Sequence, residues 1–226
     1  DREETRLALT AVADDEIRRM GWSLPAEALL ADGDSTGAEA SFWSALPTLS
    51  SSSEQARAWD RVAVLRLARA DSLGARAAFH QVLTLSSSGP LALRAAASLH
   101  TLGIDSVSVA LAAGRVLGSA GRHREALEVL GTLEELTVGS LDSSIRLLQA
   151  RSRLGAGEVT GALALARELA EADDSTVALA SLVLQIQALR RLGRVGEARA
   201  TQEEMIARFP ESAESVVILE GEAERL

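Results

Sequence analysis

The sequence predicts an all-α chain that folds as a right-handed α-solenoid of antiparallel helix pairs. Two features of the composition support this fold class. Apolar residues make up 47% of the 226 residues and aromatic residues only 3%, so the core must consist mainly of alanine, leucine and valine, of which the first two favour helices. Only four prolines interrupt the chain. The third feature is a short pattern of glycine, alanine and apolar residues that recurs and indicates stacked repeats.

Each copy of this pattern has a turn residue, an alanine five residues later (four in the second copy), and apolar residues four and seven positions further on. The turn glycine is expected to end one helix in the left-handed conformation. The alanine is expected where two helices cross closely, because a larger side chain would separate them. The turn residues are Gly33, Asp71, Gly121, Gly157 and Gly193, and the alanines are Ala38, Ala75, Ala126, Ala162 and Ala198.

Successive alanines are separated by 37, 51, 36 and 36 residues. The long gap predicts one extra helix near 90–103, which would begin at Pro90 and end at Gly103. We expect an N-terminal helix or cap over 1–23, repeats over 24–212 and a C-terminal capping helix over 213–226. After a short helix that begins near Pro25, helices are predicted at about 36–48, 54–69, 72–86, 90–102, 105–119, 122–136, 141–154, 158–172, 175–192, 195–208 and 212–225.

Three stretches of the sequence carry a resemblance to a known family. They are "GDSTGAEASFWSAL" from Gly33, "SAGRHREALEVL" from Ser119, and "RLGRVGEARA" from Arg191, which Pro210 follows. They resemble the tetratricopeptide repeat (TPR) family, whose helix pairs of about 34 residues have a glycine at the turn. The longer period and the mostly missing Trp and Tyr positions favour a TPR-like solenoid over a strict TPR domain. The alternative is a generic α–α repeat or an irregular helical bundle.

The charge and the residue types exclude several classes of function. The net charge is −9 and the 23 basic residues, all arginine, form no stripe that could neutralise phosphates, so no nucleic-acid partner is expected. The absence of cysteine excludes thiolate nucleophiles and cysteine metal sites. The longest weakly polar run, from Val177, is too short for a transmembrane segment. A chain that starts at Asp1 and lacks cysteine leans towards an exported, periplasmic bacterial protein.

No motif of the chain indicates an enzyme, a metal site or a cofactor. The histidines His80, His100 and His123 match no metal-ligand spacing and are expected to be structural. Paired carboxylates at 14–16, 134–135, 173–174 and 203–204 are expected at solvated helix ends or surfaces. There is no nucleophile elbow, phosphate loop or dinucleotide fingerprint.

The aromatic side chains Trp22, Phe42, Trp43 and Trp59 cluster in the N-terminal quarter of the chain. We interpret them as core in a region that has few other aromatic residues. The alternative is a partner-binding patch, because tryptophan is enriched at interface hot spots.

The resemblance also implies a binding groove. Arg115, Arg151 and Gln187 stand 36 residues apart in successive first helices, at a position that faces the concave groove of TPR proteins. Such arginines could bind carboxylates bidentately. The alternative is a solvent-facing ladder that pairs with neighbouring glutamates. Ser108 and Ser144 form a second column of this kind, and Arg190 joins them near the C-terminal end. The candidates for partner binding are therefore Ser108, Arg115, Ser144, Arg151, Gln187 and Arg190.

The sequence therefore favours a non-enzymatic scaffold for protein–protein interaction. Such a chain would be a subunit of a larger complex, including a membrane-bound one, or a factor that assembles or stabilises it. The alternative is the helical superhelix of a bacterial cell-wall lytic transglycosylase or a similar envelope enzyme, which the Ala/Leu-rich helices resemble. The apolar run at 216–219 also predicts self-association through the C-terminal helix.

Overall fold

The computed structural model describes residues 21–136 and 142–217, and within these ranges it contains helices and no strand. The predicted N-terminal helix over 1–23 lies outside this part of the chain except for its last three residues, and so does the predicted C-terminal helix beyond 217. The chain divides into two compact units, with the boundary between Gly103 and Ile104.

The first unit has five α-helices in the part that the structure describes. The extra helix predicted near 90–103 is present as the fifth of them. The second helix ends before the predicted residue 48, because Pro47 has no N–H to donate and the chain continues as a 3-10 turn, Leu46–Thr48. The helices are α1 Leu24–Ala31, α2 Ser35–Ala45, α3 Ser52–Ala68, α4 Ser72–Leu85 and α5 Gly89–Leu102.

The second unit has six helices with described bounds, and a further helical segment begins at residue 213. The predicted starts at 105 and 141 are each two residues early, since Ser106 and Asp142 cap the helices that follow them by accepting hydrogen bonds from the N–H groups of Val109 and Ser144. The helices are α6 Val107–Ser119, α7 His123–Leu136, α8 Ser143–Ala156, α9 Val159–Leu169, α10 Ser175–Arg191 and α11 Val195–Arg208.

Each predicted helix pair is joined by the same C-terminal turn. At the turn before α7, the N–H of Arg122 donates to the Leu117 carbonyl at 2.9 Å and the N–H of Gly121 donates to the Gly118 carbonyl at 3.1 Å. These two bonds form a Schellman motif, which requires a left-handed residue. The left-handed residues of the five turns are Gly33, Ala70, Gly121, Gly157 and Gly193.

The second turn corrects the predicted repeat. The pattern assigned the turn to Asp71, but the left-handed residue is Ala70, with φ at 59°. Asp71 instead caps α4, where its carboxylate accepts from the N–H of Gly74 at 2.9 Å. Counted from Ala70, the next repeat alanine, Ala75, is five residues away as in the other copies. The second copy therefore keeps the common spacing and has alanine where the others have glycine.

Small residues lie where the two helices of a pair cross. The five repeat alanines are almost completely buried, between 0% and 2% exposed. In the second unit, a β-carbon added at Gly118 would lie 3.9 Å from that of Ala126, and one added at Gly114 would lie 2.7 Å from a methyl group of Leu130. These two contacts run in opposite directions along α6 and α7, so the pair is antiparallel. The predicted all-α repeat of antiparallel helix pairs is confirmed.

A repeated hydrogen bond links successive pairs of the second unit. The side-chain amide of Gln149 on α8 donates to the Leu130 carbonyl of α7, and that of Gln185 on α10 donates to the Ala166 carbonyl of α9. Both donors and both acceptors are 36 residues apart. Because both glutamines are only 7% exposed, the bonds satisfy amides that would otherwise be buried without a partner.

We expect Gly114→Ala to destabilise the chain and Gly131→Ala to stabilise it. Both glycines lie inside helices, where alanine is preferred by about 1 kcal/mol. The new methyl group at position 114 would overlap Leu130, whereas position 131 has open space, so overpacking of about 1–3 kcal/mol should outweigh the helix preference only at position 114. Urea unfolding followed by circular dichroism measures both changes, and equal shifts in the two variants would contradict the close crossing.

The turns predict a second pair of opposite effects. Ala70→Gly should stabilise the chain by roughly 1 kcal/mol, because the left-handed conformation is unfavourable for a residue with a β-carbon. Gly121→Ala should destabilise it by a similar amount, and a β-carbon there would touch no other group, so the backbone conformation alone is tested. Thermal and urea unfolding measure both variants. A loss of stability in Ala70→Gly would show that Ala70 is not the turn residue.

Candidate functional site

Four of the predicted groove residues lie together in the second unit. Arg115 is on α6, Ser144 and Arg151 are on α8, and Gln187 is on α10, and all four are exposed. The three helices are the first members of successive pairs, and a shift of 36 residues superposes one repeat position on the next. We call these four residues the groove strip.

Two neighbouring cavities lie along the groove strip. The first has a volume of about 370 Å³, and Arg115, Arg151 and Ser144 line it. Apolar side chains of α8 and α10 complete its wall, and Asp174, the cap of α10, lies at its edge. A cavity with an apolar wall and two cationic groups is suited to a ligand that carries negative charge.

The second cavity has a volume of about 400 Å³ and shares Arg151 with the first. Gln187 and Arg191 line it from α10, and Glu214 lines it from the helical segment that follows α11. Arg191 donates to the Leu154 carbonyl at 2.6 Å, which holds its guanidinium group against α8. Because Arg151 and Ala180 line both cavities, the two cavities lie side by side along α8 and α10.

The arginines of the groove strip differ from those on the second helices of the pairs. Arg167 and Arg194 both bind Glu197. The hydrogen bond from Arg194 is the main reason why the pKa of Glu197 lies below its usual range. On α11, Arg199 binds Glu203 and Arg208 binds Glu204. By contrast, Arg115 and Arg151 make no ion pair or hydrogen bond with any residue that the structure describes. The alternative interpretation requires Arg115 and Arg151 to pair with neighbouring glutamates. Within the described ranges neither arginine forms such a pair.

The structure does not bring all predicted groove residues together. Ser108 and Arg190 are exposed on α6 and α10, but neither lines the two cavities. Arg191 was not among the predicted residues, although it lies one helical turn beyond Gln187 and this spacing points to it. Asp174 and Glu214 were not predicted either, because they reach the cavities from a loop and from the last helical segment, where the repeat pattern gives no signal.

The histidine at the start of α7 has a packing role. The ring of His123 lies against Gly155 of α8 so closely that a β-carbon at that glycine would be 2.3 Å from the ring. Its Nδ1 atom is buried and has no partner among the described residues. No group of three or more potential metal ligands occurs within residues 21–136 and 142–217.

The aromatic cluster of the first unit is partly core and partly surface. Phe42 is completely buried and packs against Trp22 with ring centroids 6.0 Å apart. Trp43 is 41% exposed, so the core interpretation does not hold for it. The ring centroids of Trp43 and Trp59 are 4.8 Å apart. The guanidinium of Arg66 lies over the ring of Trp43.

Two carboxylates are buried in the described part of the first unit, and both are paired with arginines. Glu39 accepts from Arg66 at 2.6 Å and also binds Arg69. Asp60 is 3% exposed and binds Arg94 on α5 through both carboxylate oxygens. Burial raises the pKa of Asp60, and the charge of Arg94 opposes this rise only in part. Both pairs join neighbouring helices and have a structural role.

No model of a known protein family matches the sequence, and no curated protein matches it. In the part of the chain that the structure describes, no helix is long and apolar enough to cross a bilayer.

The chain is similar to several solved structures. One, described as Naa15/Naa10 bound to HypK-THB, is 17% identical with a TM-score of 0.40; the match covers 96% of this chain and 36% of the other, so this chain spans about a third of its length. A putative kinesin light chain of Podosopora anserina with nearly identical TPR-like repeats is 20% identical with a TM-score of 0.38, over 84% of this chain and 94% of that one. A single-residue variant of that protein gives the same identity and TM-score over 86% and 97%.

We expect Arg94→Leu to destabilise the chain more at pH 7 than at pH 4. The folded-state pKa of Asp60 lies above its unfolded value, so ionisation of Asp60 weakens the folded state as the pH rises through that pKa. Without Arg94 the pKa should rise further. Breaking a buried pair costs about 3–5 kcal/mol, and we expect roughly 2 kcal/mol at pH 7, because the Arg94 side chain is 53% exposed.

Urea unfolding at the two pH values measures this effect. The double variant Asp60→Asn with Arg94→Leu is the control, and it should recover most of the loss at pH 7 because no buried charge remains. An equal loss at both pH values would contradict the role of the Asp60 charge.

Proposed function

We propose that this chain is a non-enzymatic scaffold that binds an acidic segment of a protein partner along the groove strip. The observation that carries the proposal is the pair of exposed arginines, Arg115 and Arg151, which line one cavity and have no partner among the described residues. An exposed guanidinium with no carboxylate partner can bind a carboxylate of a ligand through two parallel hydrogen bonds.

The groove offers a partner three kinds of contact. The arginines can each bind a carboxylate through two parallel hydrogen bonds. The hydroxyl of Ser144 and the amide of Gln187 can bind backbone groups of an extended segment. Apolar side chains such as Leu148 and Ala180 can pack against its aliphatic parts. Since the strip lies on packed helices and not on loops, little rearrangement should accompany binding.

The partner of such a scaffold is expected to belong to a larger assembly, which this chain would join as a subunit or help to assemble.

Self-association through the C-terminal segment is a second proposal, supported by Val216 and Val217, which are 40% and 67% exposed. Sedimentation at several concentrations tests it, and a strictly monomeric chain would contradict it. The transglycosylase alternative stays a prediction.

The proposal predicts that an acidic peptide binds through Arg115 and Arg151. A fluorescein-labelled peptide of alternating Glu and Ser should bind the full chain, and a peptide of alternating Gln and Ser should not. Arg115→Gln and Arg151→Gln should each weaken binding about tenfold, because a hydrogen bond to a charged group contributes about 1.5–3 kcal/mol. Fluorescence anisotropy at about 0.15 M salt, where the Debye length is about 8 Å, measures the dissociation constants.

The matched control is Arg199→Gln. It removes the same charge from the same unit, but Arg199 lies on α11, away from the cavities, with its side chain 78% exposed. We expect its affinity to stay within about twofold of the wild type, since an exposed ion pair contributes little. Equal losses in all three variants would indicate general charge attraction and would overturn the groove as the site.

A further inference from the structure

The second cavity of the groove strip contains a carboxylate that the proposed function does not use. Glu214 is the one acidic residue among the described residues that line this cavity, and the basic residues Arg151, Arg191 and His123 line it as well. Glu214 is exposed, and it forms no ion pair or hydrogen bond with any residue that the structure describes. A ligand that lies along the groove strip therefore meets two guanidinium groups and one carboxylate in this cavity.

The carboxylate of the first cavity is in a different environment. Asp174 caps α10, and its Oδ1 atom accepts from the N–H groups of Thr176 at 2.8 Å and Val177 at 3.3 Å. These donors and the positive end of the helix dipole compensate part of its charge. Glu214 has no such donor among the described residues, so its charge is the one that a ligand meets uncompensated.

The turn that carries Glu214 is anchored on both sides of this residue. The hydroxyl oxygen of Ser212 accepts from the N–H of Ser215 at 3.2 Å, and the N–H of Val216 donates to the Ser212 carbonyl at 3.0 Å. Ser215 is completely buried. The backbone at Glu214 is therefore held at the edge of the second cavity, where its carboxylate can contribute to recognition.

An uninterrupted acidic ligand does not suit this arrangement. Its carboxylates would bind Arg115 and Arg151 at the first cavity, but a carboxylate beside Glu214 would be repelled. A lysine or arginine at that point would be attracted instead. Specificity arises in this way when a site combines attraction to one pattern of charge with repulsion of another.

We propose that Glu214 determines which acidic segments the groove strip binds. The bound segment carries acidic residues for Arg115 and Arg151 and, further along, a lysine or arginine that pairs with Glu214. This inference rests on the proposed function and narrows its ligand to a segment with both kinds of charge in a fixed order. Because packed helices are about 8–10 Å apart and an extended residue advances about 3.3 Å, the basic residue should lie within about six positions of the acidic ones.

The test measures binding of labelled peptides to the full chain by fluorescence anisotropy. Each peptide contains two Glu-Ser units and one lysine, placed two, four or six positions after the last glutamate or before the first one. The reference peptides have serine at the position of the lysine. We expect the best lysine peptide to bind the wild type about fivefold more tightly than its reference, which is the effect of a single exposed ion pair. In Glu214→Gln this preference should fall below about twofold.

The matched control is Glu211→Gln, which removes the same charge three residues away. Glu211 is exposed and lines neither cavity, so this variant should keep the preference of the wild type for lysine. The charge reversal Glu214→Lys should invert the preference, so that a peptide with a third glutamate in place of the lysine binds more tightly than the lysine peptide.

The outcomes separate this inference from the proposed function. If no lysine peptide binds better than its reference while binding still depends on Arg115 and Arg151, the inference is overturned and the proposed function stands. A preference for lysine that persists in Glu214→Gln, or that Glu211→Gln reduces equally, shows general attraction to an acidic chain and also overturns the inference. Absence of binding by every peptide overturns both.

Discussion

The close crossing of two helices within each pair is the constraint on which the rest of the structure depends. At the crossing of α6 and α7, the missing side chain of Gly114 leaves room for Leu130 to fill the space between the helices, and Gly118 lies against Ala126. A larger residue would separate the pair and expose the apolar face that the next pair must cover. The recurrence of buried alanines at the same place shows that the described pairs of both units are built around the same contact.

The close crossing also determines where polar groups can lie. Once the pairs stack, the face of each first helix that looks towards the previous pair is buried, and Gln149 and Gln185 are tolerated there because each finds a backbone carbonyl. The opposite face remains in solvent. Side chains on that face do not affect the packing, so Arg115 and Arg151 can stand there without partners among the described residues. The division between packing and recognition thus follows from which side of the first helix a residue occupies.

Much of this arrangement could be predicted from the sequence, because spacing in an α-helix determines the face of a residue. The turn glycines, the buried alanines, the extra helix α5 and the exposed column of Arg115, Arg151 and Gln187 all follow from periodicity. The left-handed Ala70 could not, since alanine gives no signal for that conformation. Asp174 and Glu214 could not either, because they reach the cavities from outside the repeated helices, and Asp174 is also explained by its role as a helix cap.

The charges of the second unit give the groove its selectivity. On the second helices, Arg167, Arg199 and Arg208 each bind a glutamate on the same or the neighbouring helix, so that surface offers an approaching acidic segment little attraction. Arg115, Arg151 and Arg191 line the two cavities together with Asp174 and Glu214, which leaves an excess of one positive charge there. In a chain with a net charge of −9, the long-range field repels acidic molecules, and only a segment that reaches the groove gains the short-range contacts with Arg115 and Arg151. A binding site of this kind favours an acidic segment held nearby by a tether or by other contacts over one that arrives freely from solution.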